Sequence, residues 1–149
     1  LIIFSFCVII EVRRNEGDIN MNKFNLTLHK ELWNRLTNIK IYGNCKEHSK
    51  IKQQAYYGVI NSHREKDMSD YRDAGEFNYC LACKYDNEHP DCSLKNLCKN
   101  CPLEMDICYS KDSIYKKWRE SVKAKRYSMA IKFAKQLRDM KVKKGINVE

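Results

Sequence analysis

The chain has 149 residues, 43% hydrophobic and 32% charged, with a formal net charge of +9. That length allows one domain, or one domain with a tail. Two prolines and five glycines leave little material for a low-complexity linker or a phosphate-cradling glycine loop.

The charge is unevenly placed. Residues 111–149 hold thirteen Lys and Arg against four Asp and Glu, whereas residues 80–108 hold three Lys against five acids. A basic C-terminal third suits a nucleic acid or an acidic partner, and equally a solvated helix face.

Residues 1–20 open on an apolar run, LIIFSFCVII. Ten apolar residues are too few for a bilayer, which takes about twenty in helical form. A secretory signal would place basic residues first and small residues at a cleavage site. The sequence therefore predicts an upstream extension over 1–20, with Met21 the start, no role for Cys7 and no membrane partner.

A helical segment is expected over 21–75. Leu28, Leu32, Leu36 and Ile39, with Trp33 beside them, recur at three- and four-residue spacing. Thr27 is the candidate N-cap, the helix is placed from about 22 to 32 and beyond, and Gly43 and Asn44 are taken to end the stripe. A second helix over about 46–63 is carried by Ile51, Ala55, Tyr56, Val59 and Ile60. Residues 66–75 read as loop or a short helix, and 76–79 as an extended lead-in.

Residues 111–149 form a basic, helical C-terminal segment. Ser110 or Asp112 can cap a helix marked by Ile114, Trp118 and Val122. Residues 123–126 are a basic interruption. Met129, Ala130, Phe133, Ala134, Leu137 and Met140 then give a second amphipathic pattern, with Gly145 a candidate C-cap.

Between these segments, residues 76–110 carry Cys80, Cys83, Cys92, Cys98, Cys101 and Cys108. Two Cys-x-x-Cys pairs separated by fourteen residues match four-cysteine zinc spacing. Each such turn brings two thiolates to one ion while its amides point at sulfur, and ion binding then supplies folding energy. The ligand set read from the spacing is Cys80, Cys83, Cys98 and Cys101, with Cys108 and then Cys92 in reserve. An iron–sulfur cluster on the same residues is the alternative cofactor, and disulfides are a further one. His89 reads as solvent-facing, Cys45 as a small apolar residue, and His29, His48 and His63 as ordinary helix residues. The expected fold is mainly α, with a small zinc-ribbon or zinc-knuckle-like module between helices and few or short strands. Residues 21–145 are expected to form one domain.

Catalytic signatures are scarce. The metalloprotease HExxH is absent, and proline follows Cys101 where the zinc-deaminase pattern needs it before a Cys-x-x-Cys pair. A four-thiolate site has no open position for water or substrate. Two paired motifs also favour metal over a dithiol switch. The sequence thus assigns no catalytic residue and leans against an enzyme, with a metal-dependent nuclease or other metal enzyme as second alternative. For contact with nucleic acid or another partner the candidates are Lys132, Lys135, Arg138 and Lys141. Trp118 and Phe133 are expected in the core, while Tyr115 and Tyr127 stay open between packing and base stacking.

Leu28-His29-Lys30-Glu31-Leu32-Trp33, then Asn78-Tyr79-Cys80-Leu81-Ala82-Cys83-Lys84-Tyr85, Cys98-Lys99-Asn100-Cys101-Pro102-Leu103, Cys108 and Ser113-Ile114-Tyr115-Lys116-Lys117-Trp118 occur in that order. The chain thereby resembles small cysteine-rich proteins of phages and prophages of Firmicutes that share LHxxLW, YCxxC…CxxCP and YxxW elements. Cys92 and the long stretch 46–75 depart from that pattern. The resemblance implies a phage accessory protein in the cytoplasm of the bacterial host and implies no activity. The expected function is a zinc-stabilised binding module acting on a host or phage macromolecule. The first alternative is nucleic-acid binding through the basic C-terminal helix.

Overall fold

The computed structural model describes residues 23–63, 68, 71, 79–88, 98–105, 108 and 110–149. The expectations for residues 1–20 and 76–78, for His89 and for Cys92 lie outside the described residues, as does nearly all of 66–75. Among the described residues there are five α-helices: α1 (Leu26–Arg35), α2 (His48–Ser62), α3 (Leu81–Glu88), α4 (Ile114–Lys123) and α5 (Tyr127–Arg138). A 3-10 turn spans Ile39–Ile41. Extended pairing among the described residues amounts to two isolated bridges, Phe24 with Val148 and Leu103 with Val142. The mainly helical expectation is met, and neither hairpin of a zinc ribbon is present among the described residues.

Helix α1 forms where the apolar stripe places it, with Leu28, His29, Leu32 and Trp33 buried. Its cap is Asn25 and not Thr27: the Asn25 side chain accepts from the Leu28 amide at 2.9 Å. The helix ends at Arg35, earlier than the stripe suggested, and the 3-10 turn carries the chain to Gly43, whose φ of +49° suits glycine. Helix α2 fits the predicted span within two residues and buries Ile51, Ala55, Tyr56, Val59 and Ile60, as expected, together with Lys52.

The two C-terminal helices are divided at the basic interruption, where Lys125 adopts φ +56°. The residue preceding α4 is Ser113, which makes no side-chain cap bond, so neither Ser110 nor Asp112 fills that position. Helix α5 closes at Arg138 with Asp139 as its cap; Gly145 lies in a later turn and Met140 beyond the helix. Small residues Ala130 and Ala134 stand one turn apart on the buried side of α5. They allow its backbone close to α1 and α4, against which it packs.

The core is one cluster running from Phe24 through Trp33 and Trp118 to Leu137. Trp33 and Trp118 meet edge to face, 5.4 Å between centroids and 88° between planes. Such a pairing contributes about 0.5–1.5 kcal/mol beyond the area it buries. The Trp118 indole donates to the Tyr42 hydroxyl at 3.2 Å, which itself donates to the Leu36 carbonyl, so no polar edge is stranded. Tyr127 stacks on Tyr42 at 5.3 Å, and Phe133 packs half-buried against the cluster. Tyr115 is buried against Trp33 and Trp118. These two tyrosines are therefore packing residues.

The tail after α5 runs back along the molecule. Lys143 donates to Pro102 and Glu104 to Lys141, both at 2.8 Å, beside the Leu103–Val142 bridge. Further on, Phe24 donates to Asn147 at 2.8 Å and Glu149 to Phe24 at 3.1 Å. No helix among the described residues is long and apolar enough to cross a membrane.

Candidate metal centre

The first Cys-x-x-Cys pair stands at the start of α3, a helix that sequence periodicity did not reveal. Tyr79, at φ +52°, turns the chain into it, so the lead-in is not extended at that residue. The Cys80 carbonyl accepts from Lys84 at 2.9 Å, which opens the helix and leaves Cys83 within its first turn. The two sulfurs therefore share one side of the helix start, where free amides and the helix dipole favour negative charge.

Within that pair a proton is shared. The hydrogen bond with Cys83 lowers Cys80 well below the ordinary thiol range, and Lys52 and the Cys83 amide add to this against the opposing effect of burial. The same bond, with burial, raises Cys83 well above that range.

Asp86 lies three residues beyond Cys83 on α3 and is buried. Its carboxylate accepts from the amide of Cys98 at 3.0 Å and from that of Asn100 at 2.7 Å. The second pair, with Cys98 at φ +63° and its carbonyl accepting from the Cys101 amide at 3.3 Å, is a tight turn hung on this carboxylate. One helix thus carries the first pair and fixes the second.

Five cysteines line a single cavity: Cys80, Cys83, Cys98, Cys101 and Cys108. The enclosed space is about 20 Å³, room for a single ion and not for a substrate. All five are free thiols, as is Cys45, which lies apart from this cavity with its sulfur bonded to the Glu47 carbonyl at 3.7 Å. Amides also point at sulfur: Cys83 at Cys80, Cys108 at Cys98 and Leu103 at Cys101. That is the arrangement a thiolate accepts from. Burial raises Cys98, and it pushes Cys101 and Cys108 up to about 12. Without a cation, these sulfurs stay protonated.

His29, read from sequence as an ordinary helix residue, lines the same cavity and is 1% exposed. Its Nε2 lies 3.0 Å from the Leu137 carbonyl. A carbonyl only accepts, so Nε2 carries the proton, and Nδ1 is left as a buried lone pair with no hydrogen-bond partner. Burial, foremost, lowers its pKa and keeps the ring neutral. A ring with one nitrogen fixed on a carbonyl and the other bare is the usual preparation for a metal ligand. The signal was present in the sequence, since His29 shares the α1 stripe with Leu28, Leu32 and Trp33.

His29 also opens a His-x-Glu triplet, His29-Lys30-Glu31, of the kind zinc deaminases use. Glu31 is engaged elsewhere, bonded through Oε2 to His63 Nε2 at 2.7 Å. The triplet therefore does not bring an acid–base carboxylate to the cavity. His63 is thus paired with Glu31, and His48 packs edge-on against Trp118.

The donor set suits zinc: thiols with amides aimed at them, and a buried imidazole nitrogen lacking a partner. Among the described residues, no group of three or more His, Cys, Asp or Glu side chains stands close enough together to hold an ion. The sulfurs line one space without being drawn onto one point.

Behind Tyr115, which also lines the cavity, lies Lys52. Burial pulls this ammonium's pKa down, but attraction to Tyr115, Cys80 and Cys83 outweighs burial and leaves it raised.

The partner-contact candidates are not one helix face. Lys132 and Lys135 are exposed on α5, and Lys141 is exposed on the tail beyond it. Arg138 is held on both sides, by two bonds of 2.8 Å to the Asp139 carboxylate and one of 3.2 Å to Asn34. Comparison of the chain with protein-family models, curated proteins and solved structures finds no match.

Proposed function

We propose that the chain is a zinc-stabilised helical binding module, held together by a thiolate site and acting by contact on a host or phage macromolecule. One observation carries this: cysteines from the start of α3, from the 98–101 turn and from position 108 all line one small buried cavity. Cys80, Cys83, Cys98 and Cys101 are the ligands favoured by their pairing. Cys108 and His29 line the same space and are the alternatives for a fourth donor. An iron–sulfur cluster on the same sulfurs is the competing cofactor. When bound, the ion would supply a cross-link between the start of α3, the 98–101 turn and position 108.

The site supports structure more than catalysis. Its space fits one ion, and Glu31, a candidate for moving protons, is turned to His63. Contact with a macromolecule would fall to the surface, and the phage setting follows the motif resemblance alone. A specific observation favours nucleic acid as the second reading: Lys132, Lys135 and Lys141 are exposed within a segment whose thirteen cations face only four acids.

The test is metal content and thiol titration of anaerobically purified protein. About one zinc per chain, with melting on chelation, is the expected result. A brown, iron-bearing sample would move the assignment to a cluster. Protein that folds with no metal and every thiol titratable would end the proposal.

A further inference from the structure

Lys52 sits in the middle of α2 and is 2% exposed. Among the described residues its ammonium makes one hydrogen bond, donating to the Tyr115 hydroxyl at 3.2 Å. It lies 4.5 Å from the centroid of the Tyr115 ring and 5.7 Å from that of Trp33. Among the described residues no carboxylate pairs with it. A buried cation is strongly unfavourable unless an anion answers it, and aromatic faces answer only part.

Tyr115 and Trp33 both line the cysteine cavity, so the ammonium is one side chain away from the sulfurs. Four thiolates around one divalent ion leave two net negative charges in a buried place. Each charge is costly alone, and together they offset one another.

We propose that Lys52 is the counter-ion of the metal-loaded cysteine site, neutralising part of its negative charge through the Tyr115 hydroxyl from a helix that carries no ligand. This rests on the metal reading above. The hydroxyl accepts from the ammonium and keeps its own proton to donate toward the cavity. Lys52 is thus a positioning residue, and it locks α2 to a site built by other parts of the chain.

The test is cobalt(II) titration of the full chain under anaerobic conditions, for the wild type, Lys52→Met and Tyr115→Phe, with melting of the stripped and loaded forms. The wild type is expected to show the thiolate-to-cobalt charge-transfer band. Lys52→Met should bind cobalt about 10- to 100-fold more weakly, the range typical of outer-shell partners. The charge effect is marked by its size in the two forms: Lys52→Met should lower the melting point of the loaded protein by clearly more than that of the stripped protein. Cobalt affinity equal to wild type, or an equal or larger drop in the stripped form, overturns the proposal while leaving the metal site standing. A wild type that takes up no cobalt overturns the metal reading and this inference with it. If Lys52→Met does not fold, Tyr115→Phe decides, since it keeps the ring and removes only the hydroxyl: unchanged cobalt affinity overturns the counter-ion role.

Discussion

Asp86 and Cys98 are joined by a 3.0 Å bond from a backbone amide to a buried carboxylate, and that bond holds the two cysteine pairs in one place. Asn100 adds the second bond, at 2.7 Å. Removing the carboxylate leaves both amides without a partner. A hydrogen bond to a charged group contributes about 1.5–3 kcal/mol. Asp86→Ala is therefore expected to lose about 2–4 kcal/mol of stability in denaturant titration of metal-loaded protein, and to release zinc to a chelator faster. Asp86→Asn, which keeps one acceptor, should fall between. An Asp86→Ala protein as stable as wild type would mean the turn holds its shape alone.

The donors can be ranked by single substitutions read through cobalt spectra. Cys80→Ser, Cys83→Ser and Cys101→Ser are expected to abolish tight binding, and Cys45→Ser to leave it intact. Comparison of Cys98→Ser, Cys108→Ser and His29→Gln then identifies the fourth donor: loss of a sulfur weakens the charge-transfer band, and loss of the imidazole shifts the d–d bands instead. Tight binding in Cys80→Ser would refute the assigned pair.

Trp118 has no exposed surface and lies under Trp33, Tyr115 and His48. Trp118→Ala should cost about 3–5 kcal/mol, as large-to-small changes in packed cores do. Trp118→Phe should cost less, mostly through the lost bond to Tyr42. Equal unfolding midpoints for the two variants would contradict this packing.

His48 offers a pH test away from the cysteines. Burial, then Arg119, Lys123 and Lys52, lower its pKa from 6.5 to about 4. Between those values the unfolded chain binds a proton that the folded chain refuses, so stability falls as pH drops from 6.5 toward 4 and is unaffected above. His48→Phe keeps a ring against Trp118 and removes the titration. Its melting temperature should fall less than that of wild type between about pH 7 and about pH 5. Parallel curves would show that His48 titrates normally in the fold.

For nucleic acid, reversing Lys132, Lys135 and Lys141 to Glu should weaken retention on DNA or RNA and flatten its salt dependence. Arg138→Glu should do so less, because that guanidinium is already held by Asp139 and Asn34. Retention that is insensitive to salt in the wild type would remove this reading.

Helices α1, α2, α4 and α5 were legible because each carries an apolar stripe several turns long. Helix α3 was not, since its eight residues begin at a cysteine pair and spacing there signals metal before it signals periodicity. Caps were misjudged for a local reason. Asn25 and Thr27 are both competent acceptors, and the choice fell to Asn25, which also donates to Glu149 at 2.8 Å. The convergence of Cys108 with the two pairs was visible only as a reserve, because loop spacing does not determine distance. His29 stands on the α1 stripe, which signals burial and not which cavity a residue lines, whereas for Lys52 nothing local distinguishes a cation under two aromatic rings from one in solvent.

The tail that meets both Phe24 and Pro102 has a kinetic meaning. The contact between Asn25 and Glu149 spans 124 positions. Closing so long a loop costs entropy before any contact repays it, so such pairings form late and open early. Amides at Phe24, Lys143 and Glu149 should then exchange with deuterium well before those of α5. Fraying there would loosen the first helix and the 98–104 segment in a single event, so the two halves of the molecule come undone together.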